Sequence, residues 1–174
     1  IAMLNDLTGI PMITIGKMLP SVWLLIGGIG LFHVAYQYLD NYPFAALTTT
    51  LVFSNKFLLE YLIRVEGITR GLGFAFTLMG AYIAFRLYDT KKRRYAIFGA
   101  FLFAGAILTH PFAAVFYGMT YISLWVALDR TTQGFSHSVG VAAGGMLISS
   151  PYWGSVLLTY GLDPYLAAAA SKSS

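Results

Sequence analysis

The chain has 174 residues and a formal net charge of +4; 57% of its residues are hydrophobic and 10% are charged. A soluble domain carries about a quarter of its residues as charged side chains, so this composition excludes an ordinary soluble protein. The absence of cysteine excludes disulfides and thiolate metal sites. Because four of the eleven basic residues form one run at Lys91–Arg94 between apolar segments, the positive charge indicates membrane topology and not nucleic-acid binding.

Four long segments contain no Asp, Glu, Lys or Arg. They are Met18–Leu39, Gly71–Phe85, Tyr95–Leu128 and Thr131–Leu162. Since about 20 residues of helix cross the hydrocarbon core of a bilayer, these runs predict an all-α, polytopic transmembrane protein.

Polar breaks between the apolar segments predict about six spans. The expected spans are 18–38, 43–64, 69–88, 95–109, 112–128 and 137–160. Turns are predicted at Leu39–Pro43, at the charged stretch Tyr88–Arg94 and at the polar stretch Asp129–Gly134. We expect residues 1–174 to form a single transmembrane domain that is a piece of a longer chain.

The uncharged run Tyr95–Leu128 is too long for one crossing. As a single helix it would measure about 51 Å, against a hydrocarbon core of about 30 Å. Pro111 disfavours helical geometry at the residue before it, so the run is predicted to fold back at Thr109–His110–Pro111. The two resulting helices are short, and their shared tip is expected to lie below the membrane surface.

The distribution of basic residues predicts the orientation in a cell membrane. Arg86, Lys91–Arg94 and Arg130 fall on one side of a six-span arrangement, and the dense loop at 89–94 marks that side as cytoplasmic. The opposite, extracytoplasmic side then collects most polar residues that could do chemistry. These are Glu60, Arg64, Glu66, Arg70, His110 and Asp163.

Lys56, Glu60 and Arg64 are spaced at i, i+4 and i+8 and share one helix face. They form either a self-neutralising ladder whose ends extend towards the interface or the lining of a polar cavity.

The stretch from Glu66 to Gly73 is the most informative part of the sequence. Thr69 is predicted as the N-cap of the third span, with Arg70 as its first helical residue. A helix N-terminus with a cation beside it suits an anion such as phosphate. Gly71 and Gly73 would allow a ligand or a neighbouring helix to approach closely. An ordinary capped helix start is the alternative.

His110 at the predicted hairpin tip is either a structural residue or part of the same site. The three widely spaced histidines give no metal-binding pattern, so no metal and no cofactor are expected. Gly27, Gly28 and Gly30 lie within an apolar span and predict close helix packing.

The order of four segments resembles the membrane region of GT-C-type glycosyltransferases. The likeness is greatest to bacterial and archaeal relatives of the dolichyl-phosphate-mannose and arabinose transferases, and it extends from about Leu7 to Ala170. The segments are Glu66–Gly73, Ala106–Phe112, Ser149–Trp153 and Tyr160–Leu166.

The resemblance implies transfer of a sugar from a polyprenyl-phosphate donor to an extracytoplasmic acceptor. Arg70, Arg64, Glu66, Thr69 and His110 are then the expected substrate-binding residues. Such enzymes carry a catalytic acidic residue in their first outer loop, but this chain aligns beyond that loop.

Asp6 is the sole early carboxylate, and its surroundings do not match the acidic motif. The catalytic residue is therefore unassigned. The competing interpretation is a non-catalytic integral subunit packed among other membrane subunits; a transporter is disfavoured because no inverted repeat is visible.

Overall fold

The computed structural model describes residues 6–56, 58–60 and 67–163, of which 67 and 68 are described by their backbone alone. These residues form an all-α structure with six longer helices, and no strand occurs among them. The helices are α1 (Met12–Leu39), α2 (Tyr42–Phe53), α3 (Gly67–Thr90), α4 (Arg93–Thr109), α5 (Pro111–Leu128) and α6 (Thr132–Tyr160).

Four of these helices are long and apolar enough to cross a membrane, namely α1, α3, α5 and α6. The predicted total of about six spans is not confirmed. Helix α4 has 17 residues and measures about 26 Å, which is shorter than the hydrocarbon core. Helix α2 has 12 residues and is apolar but much too short to cross alone. The architecture is compatible with a multi-pass membrane protein.

The prediction of one continuous helix over 43–64 is wrong. Helix α2 ends at Phe53, and Ser54 and Asn55 are not helical. The Asn55 side-chain oxygen accepts a hydrogen bond of 3.1 Å from the Leu58 amide and caps a new helical segment. Short polar side chains compete in this way with the helical hydrogen bonds of the backbone. Phe53 lies 3.7 Å from a Cβ placed on Gly28, so α2 reaches about half-way along α1.

Local chemistry also sets the other helix ends. Asp40 ends α1 in the left-handed region at φ 48°, and the Asn41 side chain accepts a 3.2 Å hydrogen bond from the Phe44 amide to start α2. Thr131 caps α6 through a 3.1 Å bond from the Gly134 amide. Turns are therefore present within the predicted stretches 39–43 and 129–134, although α6 begins at Thr132, earlier than expected. The turn predicted at 88–94 is shorter than expected, because α3 continues to Thr90 and α4 begins at Arg93.

Helix α3 is the centre of the bundle. It packs against α1, α4 and α5, while α4 also packs against α6. Close approach of α1 and α3 depends on glycine: a Cβ on Gly30 would lie 2.9 Å from the backbone of Leu78. The prediction that Gly27, Gly28 and Gly30 serve helix packing is confirmed.

Three buried tyrosines lie where α3, α4, α5 and α6 meet. The Tyr88 hydroxyl is 2.7 Å from the Ser138 hydroxyl and donates to the Tyr121 carbonyl at 3.1 Å. The Tyr117 hydroxyl donates to the Gly99 carbonyl at 2.8 Å and lies 3.4 Å from the Tyr121 hydroxyl. Each buried phenol thus has a hydrogen-bonding partner, as a low-dielectric interior requires.

Many large apolar side chains lie on the outside of the bundle. Leu25, Leu51, Phe101, Val115 and Leu147 are all more than half exposed. Such a surface would aggregate in water. It is the surface that a helical bundle presents to lipid.

Candidate functional site

The candidate site lies around the turn between α4 and α5. Helix α4 ends at Thr109 and α5 begins at Pro111, with His110 extended between them at φ −160° and ψ 128°. The predicted fold-back at Thr109–His110–Pro111 is confirmed. His110 Nδ1 accepts a 3.3 Å hydrogen bond from the Phe112 amide and so caps α5.

Gly73 brings α3 against this turn. A Cβ on Gly73 would lie 2.7 Å from the Ala113 Cβ and 3.0 Å from the Thr109 hydroxyl. Of the two uses predicted for this glycine, the structure shows the approach of a neighbouring helix. One turn further along α3, the Thr77 hydroxyl lies 3.0 Å from the Gly73 carbonyl and 3.4 Å from the Ala113 carbonyl of α5, and can donate to either. The first two turns of α3 are thereby held beside His110.

A cavity of about 380 Å³ opens between the start of α3, the turn and α5. Its polar lining consists of Arg70, Thr77, His110 and Thr120, and its apolar walls are Leu58, Phe74, Phe112, Ala113 and Phe116. The structure therefore brings together Arg70 and His110, two of the five substrate-binding candidates.

The remaining three candidates are placed differently. Helix α3 begins at Gly67, so the prediction that Thr69 is its N-cap is wrong; Thr69 and Arg70 both lie within its first turn. Thr69 is exposed and is not among the residues that line the cavity. Arg64 and Glu66 lie outside the described residues.

The expected ladder on the second span is present in part. Lys56 Nζ lies 4.0 Å from Glu60 Oε1, and the Lys56 side chain is 83% exposed. An ion pair this exposed stabilises little, and neither residue lines the cavity. The geometry fits the self-neutralising ladder better than a cavity lining.

Four lining residues of the cavity were not predicted from the sequence: Phe74, Thr77, Phe116 and Thr120. A signal was available, because Arg70, Phe74 and Thr77 are spaced at i, i+4 and i+7 and so share one face of α3. Thr77 and Thr120 carry no charge, however, and both lie in apolar helices. The sequence pattern therefore does not distinguish them from other residues of a membrane span.

The arrangement combines a cation and an imidazole at one end with hydroxyl and aromatic groups further in. From Arg70 to Thr77 the cavity extends about 10 Å along α3. Such a cavity can bind an anionic group at Arg70 and His110 and an apolar portion beside Phe74 and Phe116. No carboxylate occurs among the described residues that line it, and His110 is the side chain among them that could accept a proton.

The opposite end of the bundle is held by an ion pair. Lys91, in the turn between α3 and α4, pairs with Asp129, in the turn between α5 and α6. The Asp129 side chain is 5% exposed and also accepts a 2.7 Å hydrogen bond from the Thr131 hydroxyl. Lys91 and then Thr131 lower the pKa of the Asp129 carboxyl because their hydrogen bonds favour its charged form.

Comparisons with protein-family models, with curated proteins and with solved structures give no match to this chain.

Proposed function

We propose that this chain is part of a GT-C-like membrane glycosyltransferase that transfers a sugar from a polyprenyl-phosphate donor to an extracytoplasmic acceptor. The observation that carries the proposal is the shared cavity of Arg70 and His110, with a cationic end and aromatic walls. A polyprenyl-phosphate sugar has the complementary chemistry, because an anionic phosphate joins a polar sugar to a long apolar chain.

In this proposal the residues of the cavity bind and orient the donor. Arg70 hydrogen bonds to the phosphate, where a guanidinium can engage two oxygens at once. His110 contacts the phosphate or the sugar from the turn. Phe74 and Phe116 contact the first isoprene units. The general base that deprotonates the acceptor comes from residues beyond this lining.

The site lies at the end of the bundle opposite the basic turn Lys91–Lys92. The excess of basic residues at that turn supports a cytoplasmic position for it. The proposed location is therefore the cell membrane, with the functional face extracytoplasmic.

The test is sugar transfer by the full-length protein in liposomes that contain a labelled polyprenyl-phosphate sugar, with a membrane extract added as the source of the acceptor. Arg70→Ala should lower turnover at least about 100-fold, as removal of a charge-assisted contact to a reacting group does, and Arg70→Lys should retain part of it. Arg130→Ala removes an exposed arginine at the opposite end and is the matched control. Unchanged turnover in a folded Arg70→Ala protein would refute the phosphate role.

A non-catalytic integral subunit is the second candidate. It is favoured by the lack of a carboxylate among the described lining residues. Such a subunit would bind a polyprenyl phosphate without turnover and would migrate with other membrane proteins when extracted in mild detergent. Transfer by the full-length protein, purified away from other membrane proteins, rules this candidate out.

A further inference from the structure

A second groove lies between α4 and α6, at the end of the bundle opposite Arg70 and His110. Its volume is about 570 Å³. Arg93 and His137 line its outer part, Gly140 and Gly144 form one wall, and Ile97 and Leu147 line its inner part. We infer that this groove binds the headgroup of an anionic phospholipid, with the start of one acyl chain held beside the glycines.

The charge at this end of the molecule favours an anionic occupant. Lys91 is neutralised by Asp129, but Lys92, Arg93 and Arg94 follow it directly in the sequence. Arg93 is exposed and has no ion-pair partner among the described residues. Each basic side chain near a membrane surface attracts anionic lipid by about 1 kcal/mol.

One side chain of the groove lining has a polar atom without a hydrogen-bonding partner. His137 Nδ1 is buried and makes no hydrogen bond to the described part of the chain. A buried polar atom without a partner is unfavourable, so we expect the imidazole to turn towards the groove when a phosphate or glycerol oxygen is present there. Ser136 adds a hydroxyl beside it at the mouth of the groove.

The shape of the groove distinguishes a lipid from a soluble anion. A Cβ on Gly140 would meet nothing within 4 Å, whereas a Cβ on Gly144 would lie 2.9 Å from the Ala100 Cβ. The space beside Gly140 is therefore open. One turn deeper, at Gly144, α4 and α6 touch and form the floor of the groove. From Ser136 to Leu147 the groove extends about 16 Å along α6, and its inner lining is apolar. A free phosphate would leave that inner part empty.

The test uses the full chain in a neutral detergent and follows its thermal unfolding midpoint as lipid is added. Dioleoylphosphatidylglycerol should raise the midpoint at lower concentration than dioleoylphosphatidylcholine. Arg93→Gln should raise the apparent Kd for the anionic lipid about fivefold, the equivalent of one basic contact, and Arg93→Lys should restore most of the affinity. Inorganic phosphate alone should not reproduce the effect.

Gly140→Leu should abolish the shift, because its side chain fills the open space. Gly154→Leu is the matched control on the same helix, since a Cβ at Gly154 also meets nothing within 4 Å and this residue is outside the groove. Equal effects of the two lipids, full stabilisation by phosphate, or an unchanged response in Gly140→Leu would each overturn the inference. Arg93→Gln should raise the apparent Kd by the same factor when Arg70 is also replaced by Ala, so the result is independent of the proposed transferase activity.

Discussion

The phenol oxygen of Tyr117 on α5 donates a 2.8 Å hydrogen bond to the backbone carbonyl of Gly99 on α4. The ring of the same tyrosine lies against Gly80 on α3, where no side chain could be accommodated. One side chain thus joins three helices between the candidate cavity and the basic end of the bundle. The small residues at positions 80 and 99 are what allow it to fit.

Gly80→Ala should destabilise the bundle by about 1–3 kcal/mol, the usual range for overpacking a core, because the added methyl overlaps the Tyr117 ring. The measurement is unfolding in increasing dodecyl sulfate. Gly118→Ala is the control, since a Cβ there meets nothing within 4 Å. Combining Gly80→Ala with Tyr117→Ala should give a loss smaller than the sum of the two. Equal stabilities of Gly80→Ala and Gly118→Ala would contradict this packing.

Gly73→Ala should disturb the candidate cavity selectively. Its methyl group would press on Ala113 at 2.7 Å and move α3 away from the turn at His110, whereas a methyl on Gly71 would meet Trp23 at an ordinary 3.6 Å. We expect Gly73→Ala to weaken binding of a fluorescent prenyl phosphate by at least about tenfold, a loss of about 1.4 kcal/mol. Gly71→Ala should bind like the unmodified chain. If both variants bind equally well, the position of α3 does not control the cavity.

The pair of Lys91 and Asp129 should make stability depend on acid pH. The pKa of the Asp129 carboxyl is lowered in the folded protein, chiefly by Lys91. Its stabilising contribution is therefore fully present above the unfolded pKa of about 3.9 and is lost as pH falls through the lower, folded value. Asp129→Asn should be less stable than the unmodified chain at pH 7, and the difference should shrink below about pH 4. Thermal unfolding from pH 3 to 7 measures this.

Asp89→Asn provides the control for that series, because Asp89 is exposed at the same end of the bundle and forms no ion pair among the described residues. A difference between the Asp129→Asn and unmodified proteins that stays constant across the whole pH range would show that the ion pair does not cause it.

The absence of cysteine makes the orientation directly measurable. Lys92→Cys and Arg130→Cys lie in the two turns joined by the ion pair, so both should react from the same side of the membrane. Leu162 lies beyond the far end of α6, and its side chain is 62% exposed. Leu162→Cys should therefore react from the opposite side. An impermeant maleimide added to intact cells should label position 162 alone if the basic end is cytoplasmic. Labelling of all three positions from one side would contradict the helix arrangement.

The sequence predicted features that depend on strong local rules. The break before Pro111 follows from the steric restriction that proline imposes on His110, and the turn at Asp40–Asn41 follows from polar residues beside Pro43. The break at Ser54–Asn55 was missed because these residues lie within an apolar stretch without proline or glycine. The hydroxyls of Thr77 and Thr120 were missed because their role depends on which helix faces which, and that is set by long-range packing at Gly73 and Gly80.

Helix α2 ends beside the middle of α1. We expect water to enter the bundle at this helix end. A helix end leaves backbone carbonyl groups without intrahelical partners, and lipid tails supply no donors at that depth. Water that follows the groove between α1 and α2, past Thr49, Thr50 and Ser54, can hydrate these groups. Deuterium exchange should therefore be faster for the amides beside Ser54 than for amides at equal depth in α4 or α6. Faster exchange at this point would show that water reaches further into the membrane along this flank of the protein than along α4 or α6.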